Sequence, residues 1–255
     1  MAKTIGPRRV VAVPRIGTRS HAGQAVQNRI LRNLPTKEWR VVSSKLDFVE
    51  FPTHCVLNEM AKRIRYGYFI NGGLASVLNV MPNGKSVEVG LTGEEGFVGL
   101  PLLVGFTTSP TLAVTQIAGS AFRVSAADLA VLLLKCPQLS QLALRYSQEF
   151  ALQVTQVAAC NRLHNVNQRM ARWLLMSKDR VPGSSFLLTQ EFLSHMLGTR
   201  RASVTIAAGA LQRAGLITYQ RGKVTIVKRA GLETAACDCY RVLRRQLKRW
   251  SSDFC

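Results

Sequence analysis

The stretch Leu188–Val227, LTQEFLSHMLGTRRASVTIAAGALQRAGLITYQRGKVTIV, decides how the chain is read. Thr189 is a candidate N-cap, and Phe192, Leu193, Met196 and Leu197 recur behind it at the spacing of one helix face. Gly198 ends that helix, because the left-handed conformation that closes a helix costs glycine no Cβ clash. Thr199 is a candidate cap for a second helix, whose apolar stripe is Val204, Ala207, Ala208 and Leu211, and Gly215 stops it. Leu216–Thr218 and Val224–Val227 flank the turn Gln220-Arg221-Gly222-Lys223, which predicts a hairpin with a basic tip.

Helix, tight turn, second helix and hairpin make a winged helix-turn-helix, in which the second helix enters the DNA major groove. Arg200 and Arg201 fall in the first turn of that helix, with Ser203 and Thr205 behind them. Arginine there can pair with guanine O6 and N7 through two parallel hydrogen bonds. The candidate DNA contacts are Thr189, Gln190, Thr199, Arg200, Arg201, Ser203, Val204, Thr205, Arg213, Arg221 and Lys223, the last three meeting phosphates on either side. The competing reading is a helical hairpin whose arginines only solvate a surface. Two adjacent arginines do not decide between them; the glycine turn, the basic helix start, the alanine-rich interior and the basic wing together favour DNA.

The charge distribution agrees. The 255 residues carry a net charge of +20, enough chain for a sizeable core and two domains. Residues 1–37 hold eight Lys and Arg and no acid, and residues 184–230 hold seven against Glu191 alone. The intervening 38–183 are nearly balanced, with fourteen bases against ten acids. Positive charge therefore sits on an N-terminal arm and on the proposed DNA-binding module, as nucleic acid requires. No apolar run reaches the roughly 18 residues of a membrane helix, and residues 1–20 lack the apolar core of a secretory signal. A cytoplasmic location and no membrane partner are expected. Cys55, Cys136, Cys160, Cys237, Cys239 and Cys255 form no CxxC pair and read as free thiols.

In chain order, residues 1–27 read as a flexible basic arm. Asn28–Lys45 suggests short helices with Ile30, Leu31, Leu34, Trp39 and Val42 turned inward. Strands follow at Leu46–Phe51, Tyr66–Ile70, Leu74–Met81, Ser86–Leu91, Leu112–Ala118 and Ala121–Ser125, with turns at Asn71-Gly72-Gly73 and Pro82-Asn83-Gly84-Lys85. That series predicts a β-sandwich or β-roll domain over 28–136. Ser125 is the candidate cap of a helix to Lys135.

Pro137 opens a long helix, taken as a separate segment over 137–167. Leu139, Leu142, Tyr146, Phe150, Val154 and Val157 recur at close to the 3.5-residue repeat of a coiled coil, with Cys160 and His164 continuing the seam. A seam with a second copy is favoured over packing on the chain's own β-domain, since helix-turn-helix proteins commonly bind two half-sites. Both readings stay open at this stage. Val166–Lys178 is a further amphipathic helix, Asp179–Ser185 a loop, and 168–230 the winged domain. Residues 231–255 read as a C-terminal helical tail with a basic face at Arg241, Arg244, Arg245, Lys248 and Arg249.

The order of these parts resembles the cAMP receptor protein/FNR (Crp/Fnr) family of bacterial transcription regulators over roughly residues 28–230. The segment LTQEFLSHMLGTRRASVTIAAGALQRAGLI carries most of the likeness, with echoes in FINGGLASVL and EEGFVGLPLLVG. The resemblance implies an α+β fold: a cyclic-nucleotide-binding-like β-roll, a long dimerisation helix and a C-terminal winged helix-turn-helix. It implies double-stranded DNA, a second copy and RNA polymerase as partners, and a regulator rather than an enzyme. By the same likeness Thr189 and the start of the first helix hold phosphate, and Arg201 stands where the family reads guanine.

The departures matter as much. The next reading positions are Ala202 and Ile206, neither of which makes a polar base contact, so the half-site of the cAMP-responsive members does not carry over. The family's ligand-binding Gly-Glu and Arg-Ser pairs are replaced by Gly99-Leu100-Pro101-Leu102, and no arginine lies between Arg65 and Arg123. Lys85, in a hairpin turn, is the one base in that interval. A phosphate buried without arginine or a comparable donor set is poorly held. Cyclic nucleotide is therefore not expected as a cofactor, and the effector is unassigned. Iron–sulfur sensing needs N-terminal cysteines the arm lacks; a haem reading rests on His21, His54 and His164 alone. Nothing resembles a catalytic set or a nucleotide-phosphate loop. Cys237 and Cys239, with Cys255, read as packing cysteines, no metal site being expected, because zinc wants four ligands. The competing class is an effector-binding adaptor whose basic C-terminal half docks an acidic protein.

Overall fold

The computed structural model describes residues 23–252; most of the basic arm expected at 1–27, including His21, and Cys255 lie outside the described residues. Elements run α1 (Arg29–Arg32), α2 (Thr36–Ser43), β1 (Asp47–Phe51), β2 (Val56–Asn58), β3 (Tyr66–Val80), β4 (Ser86–Thr92), β5 (Phe97–Val98), a 3-10 turn (Leu100–Val104), β6 (Leu112–Ser125), α3 (Ala126–Lys135), α4 (Pro137–Leu163) and α5 (Val166–Lys178). They continue β7 (Ser185–Leu187), α6 (Gln190–Met196), α7 (Arg201–Arg213), β8 (Ile217–Gln220), β9 (Lys223–Ile226), α8 (Arg229–Ala235) and α9 (Asp238–Ser252). No single helix among the described residues is long and apolar enough to cross a membrane. The chain divides into two compact units, one of the described residues up to Ser86 with Thr92–Ser147, the other of Val87–Leu91 with the described residues from Gln148 on.

The antiparallel sheet has the order β1-β6-β3-β4, with β2 added on β6 and β5 on β3. The expected strands Tyr66–Ile70 and Leu74–Met81 prove to be one, and so do Leu112–Ala118 and Ala121–Ser125. The turn expected at Asn71-Gly72-Gly73 is instead a run of register shifts inside β3 between Ile70 and Ala75. Glycine permits it: a Cβ on Gly119 would lie 2.0 Å from the Gly72 carbonyl oxygen, and Gly73 holds a φ of +82°. The irregularity interrupts the register of the β3–β6 pair without ending its ladder. β2 and β5, three and two residues long, are too short to show a period in the sequence.

Phe69 and Phe97 pack at 4.7 Å between ring centroids in this unit, and Phe48 meets Phe122 edge-on at 5.4 Å. All four are buried, each burial stabilising by about 1.5–3 kcal/mol. Asn28 is fully buried, yet satisfied: its amide donates to the Ile70 and Gly96 carbonyls at 2.9 and 2.8 Å, and its oxygen caps α1 by accepting from Leu31 N. Ser125 caps α3 as expected, accepting from Asp128 N at 3.0 Å.

In the second unit, α5 starts on a capping box formed by Asn165 and Gln168. Its Met170, Trp173, Leu174 and Leu175 are buried, as are Val204, Ala207, Ala208 and Leu211 of α7. Alanines on α7 keep that helix slim where it packs against α5. β7, within and just past the expected loop, adds a third strand, giving the sheet order β7-β9-β8. The C-terminal tail expected as one helix is two, because Ala236 is extended and ends α8 before α9 begins.

Candidate nucleic-acid interface

Thr189 caps α6 as the sequence predicts, its hydroxyl accepting from Phe192 N at 3.1 Å. The helix closes in a Schellman turn: Thr199 N donates to Ser194 O at 2.9 Å and Gly198 N to His195 O at 3.2 Å, with Gly198 at a φ of +55°. Thr199 is thereby spent on ending α6, and the cap of α7 is Arg200, not Thr199. Arg200 is extended and makes no side-chain cap, so the first-turn N–H groups of α7 meet no capping side chain. An anion is favoured at such a helix start by both the open donors and the helix dipole.

Around that helix start, Arg200, Arg201, Ala202, Thr205 and Ile206 are exposed, and Ser203 is half-buried. Val204 is 0% exposed and packs in the core, so it is withdrawn as a DNA contact; its position on the inner stripe outweighs its place in the reading turn. Gln190 bridges the two helices by accepting from the Thr205 hydroxyl at 2.7 Å. At the wing tip Arg221 and Gly222 both have positive φ, 48° and 75°, as a two-residue hairpin turn of this hand requires. Arg221, Lys223 and Arg213, at the far end of α7, are exposed. Tyr219 anchors the wing through its hydroxyl, which donates to the Leu188 carbonyl at 2.6 Å. Burial raises its phenol above the ordinary range, with the charge of Arg201 pulling the other way. Sequence reading missed Tyr219, since a lone tyrosine in a strand carries no sign of its partner.

Most of the residues expected to form a dimer seam face the chain's own interior. Leu139, Tyr146, Phe150 and Val157 are buried within the chain, with Leu142 and Val154 half-buried. Tyr146 hydroxyl lies 2.8 Å from the Thr92 hydroxyl, and a Cβ on Gly96 would strike the Tyr146 ring. Phe150 covers Gly90 in the same way. These apolar residues serve the chain's own core, which the periodicity could not distinguish from a partner. The exposed stripe of α4 is Gln141, Leu144, Gln148, Ala151, Thr155 and Ala158, at alternating steps of three and four.

Arg65 and Arg123, the arginines that bound the arginine-free interval, come together in the first unit. With Lys62, Arg63, Glu59, Tyr66 and Tyr68 they line a cavity of about 660 Å³ beside β2, β3 and β6. Arg123 stacks over the Tyr66 ring at 4.2 Å and pairs with Asp47 at 2.9 Å, while its buried Nε has no hydrogen-bond partner. The Gly99–Val104 segment forms a 3-10 turn without a charged residue, matching its sequence.

The cysteines also depart from expectation. Cys237 and Cys239 do not stand as an isolated pair; Cys160 and His164 join them. One ligand atom of each of the four lies within 4.8 Å of every other. Cys160 Sγ is 3.4 Å from Cys237 Sγ, and Cys239 Sγ is 3.5 Å from His164 Nδ1. The hydrogen bond between Cys160 and Cys237 holds the Cys160 thiol well below its ordinary range and drives that of Cys237 up. The sequence reading considered Cys237 and Cys239 without Cys160 and His164, so it did not see four candidate ligands in one place.

Residues 168–235 match the family model of the Crp-like helix-turn-helix domain. Comparison by sequence with curated proteins gives no match. Among solved structures, the chain is similar to FixK2 of Bradyrhizobium japonicum, at 13% identity and a TM-score of 0.65, covering 75% of this chain and 98% of that one. The c-di-GMP-responsive global regulator CLP of Xanthomonas campestris aligns at 16% identity and a TM-score of 0.62, over 75% and 99% of the two chains. The Crp/Fnr-family transcriptional regulator TTHA1359 of Thermus thermophilus aligns at 19% and 0.61, over 74% and 97%. Residues 168–235 thus match a Crp-like helix-turn-helix domain, and the chain shares the fold of these Crp/Fnr-type regulators.

Proposed function

We propose that the protein regulates transcription as a homodimer that reads a pseudo-palindromic DNA site, one α7 helix in each of two successive major grooves. The observation that carries this reading is the exposed start of α7, where Arg200, Arg201 and Thr205 stand around uncapped N–H groups. Arg201 reads guanine, and Thr189, Gln190, Thr199, Arg213, Arg221 and Lys223 position the domain on phosphates, with Arg200 and Ser203 beside the bases. Ala202 and Ile206, both exposed, present methyl groups that suit the thymine C5-methyl, which favours A·T pairs next to the guanine contact.

Dimerisation runs through the exposed α4 stripe from Gln141 to Ala158, whose small residues let two helices approach closely. The first unit senses something other than a cyclic nucleotide held in the family's manner, since the Gly99–Val104 turn offers no charged side chain. RNA polymerase is the further partner of such a regulator, and the cytoplasm its place of work.

The test is selection of bound duplexes from a random pool by the full-length protein near physiological salt. An enriched inverted repeat with half-site centres about 34 Å apart is expected. Retention of DNA with no shared motif would reduce the module to a basic surface and overturn the reading.

A further inference from the structure

Cys160 and His164 are one helical turn apart at the end of α4, so both project from one face. Cys237 and Cys239 flank Asp238, the first residue of α9. We propose that these four side chains form a structural zinc site, one ion per chain, that fastens the start of α9 to the end of α4. The proposal is independent of the DNA reading.

Number, kind and spacing of ligands carry it. Three thiols and an imidazole are a closed zinc set, and a tetrahedral site with Zn–S of about 2.3 Å and Zn–N of about 2.0–2.1 Å sets its ligand atoms about 3.6–3.8 Å apart. The Cys160–Cys237 and Cys239–His164 distances, 3.4 and 3.5 Å, already lie near that value. The remaining pairs, all within 4.8 Å, need close by no more than about 1 Å. A disulfide would pull one pair to about 2.05 Å and leave a thiol and the imidazole idle. An iron–sulfur cluster binds its ligands on different irons and needs them farther apart than this.

The surroundings suit the ion's charge. Three thiolates and a neutral imidazole around Zn²⁺ leave one net negative charge. Arg172, 3% exposed, acts electrostatically on both Cys160 and Cys237, and its Nε has no hydrogen-bond partner. A buried guanidinium of that kind is matched by an anionic centre. Gln156 Nε2 donates to Cys239 Sγ at 3.1 Å, the type of outer contact that orients a metal-bound thiolate. Four coordinated protein atoms leave no open position, so the role is structural: a 77-residue separation between Cys160 and Cys237 is closed by one ion.

The experiment takes full-length, tag-free protein purified under reductant and measures metal by mass spectrometry, then exchanges the ion for cobalt. One zinc per chain is expected, with the thiolate-to-cobalt charge-transfer band and the strong visible bands of a tetrahedral cobalt site. Cys237→Ser and His164→Ala should each weaken zinc binding by more than the about tenfold that loss of an outer partner costs, while Cys136→Ala, which is not one of the four ligands, leaves it unchanged. The cobalt spectrum of the unaltered chain decides even where a ligand variant fails to fold. Folded protein that takes up neither metal would overturn the proposal, as would a Cys160–Cys237 disulfide found under the same reducing conditions. Full zinc retention in Cys237→Ser would overturn it equally.

Discussion

Thr205, on α7, donates its hydroxyl to Gln190 Oε1 of α6 at 2.7 Å, and so ties the two helices of the DNA-binding module at their exposed edge. The same hydroxyl reaches Arg201 O at 3.1 Å. Thr205 therefore holds the first turn of α7 in place, and on the proposed reading Gln190 keeps its amide N–H groups for phosphate. Arg201, the proposed guanine reader, projects from a braced helix rather than a loop, which limits the conformational freedom lost on binding.

Arg201→Ala should weaken binding to the selected site by about 5- to 150-fold, the worth of about 1–3 kcal/mol for one bidentate base contact, and relax preference at one base pair per half-site. Lys223→Ala should weaken all sequences alike and lower the salt slope by about one. Fluorescence anisotropy on matched and single-substituted duplexes separates the two. Equal loss of affinity for every duplex in Arg201→Ala would remove its reading role.

Placing the dimer seam on the exposed face of α4 makes two substitutions behave oppositely. Ala151→Glu sets like charges across a helix pair and should give a folded monomer in sedimentation, with its melting transition shifted only by the loss of the partner. Tyr146→Phe leaves the dimer intact but deletes the hydroxyl contact to Thr92, costing about 0.5–1.5 kcal/mol of stability. A dimer unaffected by Ala151→Glu would return the seam to another face.

Alkaline pH should expose the burial of Tyr68. Burial is the main cause that lifts its phenol from about 10 to about 12, against the opposing charge of Arg123. Between those values the unfolded chain has lost a proton that the folded chain keeps. The contribution is therefore complete below pH about 10 and is lost as pH rises towards about 12, a difference of about 3 kcal/mol. Denaturant midpoints from pH 9 to 11.5 should fall less steeply in Tyr68→Phe than in the unaltered chain. Parallel slopes would show that Tyr68 ionises freely. Tyr240 shifts in the same direction through burial and Asp179, so the comparison rests on the difference between the two proteins.

The winged module was legible because its signals are local. Caps, glycine stops and three-four spacing all act within a turn or two of chain, so Thr189, Gly198, Gly215 and the Arg221-Gly222 tip could be read directly. The short strands β2, β5 and β7 were not legible, being too brief for a period to emerge. Nor was the merging of four expected strands into two long ones: the Gly72–Gly73 run reads as a turn until Gly119 is seen pressed against it.

Which face of a helix is inward, and what meets what across the chain, belonged to tertiary structure alone. A heptad pattern on α4 records only that one stripe is apolar. Gly90 and Gly96 accept Phe150 and Tyr146 within the chain, so that stripe is already occupied. Val204 fell on the buried side of α7 by the same logic. Cys160 and His164 were present in the sequence but unrelated there to Cys237 and Cys239, because spacing along the chain conveys nothing of proximity once a helix, a winged domain and a turn intervene. Local sequence fixes backbone conformation through short-range sterics and hydrogen bonds; partners are fixed by packing, which is decided only when the whole chain has closed on itself.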